Sequence, residues 1–342
     1  MGSGRLVERL DAYQRRHTWL GFPLAVVYKF YDDQGNFLAA MITYYGFLSL
    51  FPLLLLLTTV LGFILHDNAD LQAQVVTSAL AQFPVIGHQI RSNVKAVNGN
   101  GTALMIGILG TVYGGLGIAQ AVQNAFNKIW AVPRNERPNP VVSRLRSLLL
   151  LMVLGLGVLA TTVLSALSTN AQAYGADLGA GLRWAATGVS VVVNILLLML
   201  AFRVATARNI STRDIRVGAV TAAIAWQLLQ IVGTYYLSHK LRGATAVYGL
   251  FGIVLGLLAW IYLEALILVL CTEINVVRRD QLWPRALLTP LTDDVDLTSA
   301  DKEAYASYAS AERFKGNEEV DVSFGDRDRS AKQQPGEEPG RG

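Results

Sequence analysis

The 342-residue chain is poor in charge, in cysteine and in histidine. Charged residues make up 16% of it, against roughly a quarter in an ordinary soluble domain. Its single cysteine, Cys271, excludes an intramolecular disulfide and any multi-cysteine metal site. That residue lies in an apolar run and reads as a small buried hydrophobe. The four histidines, His17, His66, His88 and His239, do not fall at metal-motif spacing. The sequence has no Gly-x-Ser-x-Gly and no glycine-rich phosphate loop opening a helix. A nuclease needs a metal cluster or a paired acid and base. None is legible, so no catalytic residue, metal, cofactor or nucleic-acid partner is expected, and the basic clusters lack interleaved aromatics.

What the chain does have is length without charge. Hydrophobic residues reach 52%, and mean hydropathy is +0.37. A bilayer core about 30 Å thick needs about 20 apolar helical residues to cross it. Six stretches qualify: 37–65, 101–125, 147–168, 184–206, 217–237 and 248–277. No Lys, Arg, Asp or Glu falls between Gln34 and His66, between Ala96 and Asn127, or from Val217 to Ser238. A soluble core helix keeps a polar face; these runs are apolar all round. In lipid each segment must satisfy its own backbone, so they are expected to be helices. The fold class expected is an all-α membrane protein with six transmembrane helices and short amphipathic interfacial helices. Phe22–Val27 is too short for a signal peptide, so the first span is expected to be retained.

Charge placement gives an orientation. Residues 1–36 hold five Lys or Arg, 66–100 two, 126–146 five, 169–183 one, 207–216 three and 238–247 two. High and low counts alternate, and the tail opens on Arg278, Arg279 and Arg285. The positive-inside rule then places both termini in the cytoplasm. Residues 293–342 carry 13 acids against 7 bases, whereas 1–292 carry 22 bases against 12 acids.

Three regions are therefore expected. Residues 1–36 form a cytoplasmic basic amphipathic segment, 37–283 the six-helix domain, and 284–342 an acidic, largely disordered cytoplasmic tail held in solvent. In the first, Leu6, Leu10, Tyr13, His17 and Leu20 share one face flanked by Arg5, Arg9, Arg15 and Arg16. That face suits membrane lipid, in particular anionic head groups, or packing on the protein's own loops. Within 66–100 the spacing predicts two short amphipathic helices on the outer surface. Ser299–Phe314 is a candidate helix in the tail.

Several motifs resemble one family. Asp32-Asp33-Gln34-Gly35 precedes Ala39-Ala40, Tyr44-Tyr45 and Ser49-Leu50-Phe51-Pro52-Leu53. Gln123-Asn124-Ala125-Phe126-Asn127-Lys128-Ile129-Trp130 is followed by Arg137. Gly218-Ala219 leads to Trp226. Tyr248-Gly249 and Trp260-Ile261-Tyr262 precede Glu273-Ile274-Asn275. In this order, over about residues 20–280, they resemble the YihY/BrkB family of bacterial inner-membrane proteins, once labelled ribonuclease BN. The resemblance implies six helices with both ends inside and roles in transport or the cell envelope. Leu270-Cys271-Thr272 stands where many relatives have a glycine and alanine before the acid.

Polar residues inside the runs are the candidate site. Glu264 sits in the last run, where a charge at the bilayer centre costs about 2.5–3.5 kcal/mol. It must face the interior, protonate or pair; Arg203, Gln227 and Gln230 are the candidate partners. Gln227, Gln230 and Asn194 read either as lining of a path or as interhelical hydrogen-bonding glue. Pro52 interrupts the first run near Tyr44 and Ser49, and broken helices can expose backbone to a substrate. Gly110-x-x-x-Gly114 and Gly252-x-x-x-Gly256 allow close packing inside one bundle, with homo-oligomer contact as the alternative. Two functional readings follow. One is a transporter, or a lipid- or solute-translocating protein of unknown substrate; the other is a non-transporting scaffold for envelope proteins.

Overall fold

The computed structural model describes residues 2–64, 101–170, 180–240, 244–290 and 295–325. Among them the protein is helical throughout, with no strand. In chain order the helices are α1 (Gly2–Arg16), α2 (Thr18–Asp32), α3 (Gly35–Ile64), α4 (Gly101–Ile129), α5 (Pro140–Asn170), α6 (Ala180–Ala205), α7 (Thr212–Lys240), α8 (Ala244–Asp280) and α9 (Ser299–Ala311), with a 3-10 turn at Arg134–Glu136. Each of the six apolar runs lies mainly within one of α3 to α8. By length and composition the stretches Thr212–Gly233 and Val254–Asp280 are sufficient to cross a membrane. The two amphipathic helices expected within 66–100 lie outside the described residues.

Two compact units emerge. The larger comprises Phe30–Trp130 and Pro138–Asn275. In it α3 packs most extensively on α4, and α5, α6 and α7 follow in sequence, each against the next. Small residues set the spacing. A Cβ on Gly114 would lie 2.9 Å from Ser49 Cα, so α3 and α4 approach almost backbone to backbone there. Gly46 sits under Ile118 of α4 and Ile261 of α8. Gly218 of α7 lies against the Cys271 carbonyl and the Asn275 side chain of α8, leaving no room for a Cβ. Asn275 Oδ1 accepts the Gly218 N–H at 2.7 Å. That bond satisfies one of the amides that the first turn of α7 leaves without a partner.

The turn into α3 explains the Gln34-Gly35 pair. Gln34 adopts φ +58°, held by the Lys128 ammonium donating to its Oε1 at 3.1 Å. A Cβ on Gly35 would overlap the Phe30 ring. At the other end of α4, Ala131 turns out of the helix with φ +46°.

The smaller unit gathers Met1–Lys29, Ala131–Arg137 and Val276–Gly342. Here the structure departs from the expectation of a solvated tail from Pro284 onward. Arg285 and Asp301 form an ion pair at 1% and 0% side-chain exposure. The second Asp301 oxygen accepts the amides of Ala286 at 3.0 Å and Thr298 at 2.9 Å. Thr298 caps α9 reciprocally with Asp301. The N-terminal helices close over this knot. Gln14 Nε2 donates to Arg285 O at 2.6 Å, and the Leu287 amide donates to Asp11 at 2.8 Å. Tyr28 OH donates to Leu287 O at 2.5 Å. Burial, and then the Asp11 carboxylate, hold that phenol above the ordinary tyrosine value. Arg134 pairs with Glu312, and Arg313 with Glu136, each at 2.7 Å. Enough polar partners converge on residues 284–290 and 295–325 to order segments whose composition alone reads as disordered. One face of α1 is thereby used on the protein itself, while Leu10 and Tyr13 stay exposed.

Two outcomes follow. Gly218→Ala forces a methyl against the α8 backbone and is expected to cost about 1–3 kcal/mol. Gly155→Ala meets nothing within 4 Å and is expected to be neutral or to gain up to about 1 kcal/mol. Thermal unfolding in detergent checks the pair, and equal midpoints would contradict the α7–α8 contact. Asp301→Ala removes the carboxylate that faces the buried Arg285 charge, at about 3–5 kcal/mol of local stability. Tryptic cleavage at Lys302 in the full chain should then accelerate, and the apolar double substitution R285M/D301L should restore resistance.

Candidate functional site

Buried positions on α8 recur at Leu257, Trp260, Ile261, Ala265, Val269 and Thr272. This three- and four-residue spacing is the stripe a helix presents to a bundle. Glu264 stands beside the stripe, four residues after Trp260. The indole interacts with its carboxyl. Even so, neither Trp260 Nε1 nor Glu264 Oε1, both shielded, reaches a partner at full hydrogen-bond geometry. Other polar groups in the apolar helices behave differently. Thr43, Ser49, Thr206 and Thr272 each donate to a carbonyl three or four residues back, at 2.7 to 2.9 Å. Hydroxyls are thus absorbed by their own helices, whereas Glu264 keeps one shielded oxygen without a partner.

The other candidates are dispersed. Arg203, within the last turn of α6, is exposed and makes no ion pair with Glu264 among the described residues. Near a helix end a long cationic side chain extends toward water instead of into the bundle. Asn194 is half-buried on α6, Gln230 half-buried on α7, and Gln227 exposed. Tyr44 and Tyr45 are exposed, their rings edge to face at 5.2 Å. Helix α3 runs unbroken through Pro52. A proline removes one amide donor, and neighbouring groups in a bundle absorb that loss.

Polar contacts that sequence reasoning missed lie toward the helix ends. Gln123 Nε2 of α4 donates to Ser147 Oγ of α5 at 2.7 Å. Asn127 Oδ1 accepts the Ala207 amide at 2.8 Å and pins the loop after α6. The spacing of four that puts Gln123 and Asn127 on one face of α4 was the available signal. The loop also carries Arg208. With Arg146 of α5 and Arg203 it lines an open cleft of about 280 Å³, completed by Leu149, Thr206 and Asn209.

With this geometry in view, comparison with known proteins is informative. The family described as Virulence factor BrkB matches residues 26–290. The chain belongs to the BrkB family. It is similar to inner membrane protein YhjD of Escherichia coli, at 25% identity over 71% of this chain and 76% of that protein. A UPF0761 membrane protein of Idiomarina loihiensis is 27% identical over 76% of this chain and 91% of its own length. A Bacillus subtilis protein named ribonuclease-like protein YfkH is 25% identical over 71% and 89% respectively. No solved structure matches the chain. The BrkB-family protein is thus a membrane protein.

The motifs that carry this kinship do structural work. In the BrkB-family segment Gln123–Trp130, Ala125, Phe126, Ile129 and Trp130 are all buried, and Phe126 meets Phe202 with ring centroids 5.4 Å apart. Glu273 and Asn275 are fully enclosed, and Asn275 fixes α7. Among the described residues no three of His, Cys, Asp and Glu gather as metal ligands.

Proposed function

We propose that this BrkB-family protein crosses the bacterial inner membrane six times, with both termini cytoplasmic, and translocates a lipid or solute of the cell envelope. The observation that carries the transport reading is Glu264. An ionisable group within a membrane helix is costly and marks pathways for ions, protons or substrates. Here its Oε1 is enclosed without a hydrogen-bond partner, in a protein whose buried hydroxyls bond to their own helices. The donor that the carboxyl meets, the Trp260 indole, stands on the same helix, so that contact does not lock two helices together.

The six-span topology is supported by two things. The alternation of basic loops is one, and the coincidence of α3 to α8 with the apolar runs is the other. A cytoplasmic N-terminus would leave the exposed Arg9, Arg15 and Arg16 of α1 facing anionic lipid heads. The folded smaller unit favours a second reading, a scaffold for envelope proteins, because it offers a structured surface where a bare tail would offer none. To test that reading, truncation should begin after residue 325; deleting 293–342 would remove Asp301 and unfold the unit being examined.

For the transport reading, the protein is reconstituted into vesicles carrying labelled candidate lipids and envelope solutes, and flux is compared with Glu264→Gln. Flux is expected in the unsubstituted protein and to fall by about tenfold or more in the variant if the carboxyl handles a proton. Glu264→Gln preserves shape, so unfolding midpoints should agree. Equal flux in the two proteins would remove Glu264 from the mechanism.

A further inference from the structure

A cleft lies at the ends of α5 and α6. Three arginines, Arg146, Arg203 and Arg208, line it together with Thr206 and Asn209. Acids are scarce in the part of the chain that forms it: from Pro138 to Leu263 the sequence has nine Lys or Arg and two acids, Asp177 and Asp214. Asp214 is occupied in part, its Oδ2 accepting the Ser211 amide at 3.1 Å at the start of α7. None of the three arginines makes an ion pair among the described residues. Like charges that share one cleft repel one another, and an anion bound there relieves that repulsion.

The site is also held in shape. Asn127 fixes the Ala207 amide at 2.8 Å, Thr206 bonds back to Phe202 O at 2.9 Å, and Ile210 is 1% exposed. The loop bearing Arg208 is thus anchored on both sides of that residue. The C-terminal dipole of α6 opposes an anion, so attraction must come from the guanidiniums. Their planar forks match tetrahedral phosphate oxygens. Ligand pockets run from about 300 to 1,000 Å³, so a cleft of about 280 Å³ suits a head group and not a whole lipid. Basic pockets between membrane helices on the cytoplasmic side commonly bind such head groups.

We propose that Arg146, Arg203 and Arg208 form a binding site for a phosphate group, carried either by an anionic lipid head or by a soluble phosphate. The site is separate from Glu264 and does not depend on the transport reading. It also assigns Arg203 a role other than partner to that carboxyl.

The test uses the full chain in nanodiscs of neutral lipid doped with phosphatidic acid or with phosphatidylglycerol, read by native mass spectrometry as lipid retained. A parallel arm titrates inorganic phosphate and glycerol 3-phosphate onto protein in detergent. The variants are R208Q alone and R146Q/R203Q/R208Q; the control is R213Q/R216Q, which removes two nearby exposed charges outside the cleft. R208Q is expected to weaken binding by about tenfold or more, the triple variant to abolish it, and the control to change little. Loss confined to the lipid arm assigns the phosphate to a lipid head, and loss confined to the other arm assigns it to a soluble phosphate. Binding that falls equally in the control and the triple variant would overturn the site, as would no binding in either arm. R208Q lies on an exposed loop position, so it keeps the test decisive if the triple variant fails to fold.

Discussion

Hydrocarbon offers no hydrogen-bond partner, and that single constraint organises most of this protein. It explains why the long runs are helices, since only a helix satisfies its backbone within one segment. It explains why the hydroxyls of Thr43, Ser49, Thr206 and Thr272 turn back onto their own carbonyls. It also explains why close contacts use glycine. Apolar side chains gain little by leaving lipid for one another, so packing must come from backbone approach. Gly114 against Ser49 and Gly218 against Cys271 are such approaches. Glu264 keeps one shielded oxygen without a partner on the same helix.

The smaller unit obeys the opposite rules. It is held by charge and by capping: Arg285 with Asp301, Arg134 with Glu312, and Thr298 at the start of α9. Aromatic rings complete it, Phe22 edge-on to Trp283 at 5.2 Å and Tyr308 beneath the Lys29 ammonium at 5.4 Å. A buried ion pair is a poor source of net stability but a strict condition on geometry. Thus the acidic C-terminal segment needs the basic and amide partners supplied by distant parts of the chain. This explains how residues 284–290 and 295–325 can be ordered despite their composition.

The helices were legible in the sequence because the signal that specifies them is uncharged length, which needs no knowledge of neighbours. The α9 helix was legible for a local reason too: Thr298 and Asp301 stand at capping-box spacing. Contacts between remote residues were not. Nothing in sequence joins Gly218 to Asn275 or Arg285 to Asp301, and composition argued for a free tail. The arginine cleft is not legible because in sequence Arg146 and Arg208 mark only orientation and Arg203 stands as a candidate partner of Glu264, while their meeting at one end of α5 and α6 depends on the packing of two helices. Pro52 suggested a broken helix, yet α3 runs on through it. Glu264 was found because an acid inside an apolar run is conspicuous whatever surrounds it.

The central claim is the six-fold crossing with both ends in the cytosol, and the scarcity of cysteine makes it directly measurable. With Cys271 replaced by alanine, single cysteines are placed one at a time at Arg16, Asn139, Asn209 and Ser323, and at Asn68, Asp177 and Arg242. Each is treated with a membrane-impermeant maleimide in intact spheroplasts and again after permeabilisation. The account predicts labelling of the last three in intact spheroplasts and of the first four only once the membrane is opened. Labelling of Asn139→Cys or Ser323→Cys from outside, or protection of Asp177→Cys, would contradict it.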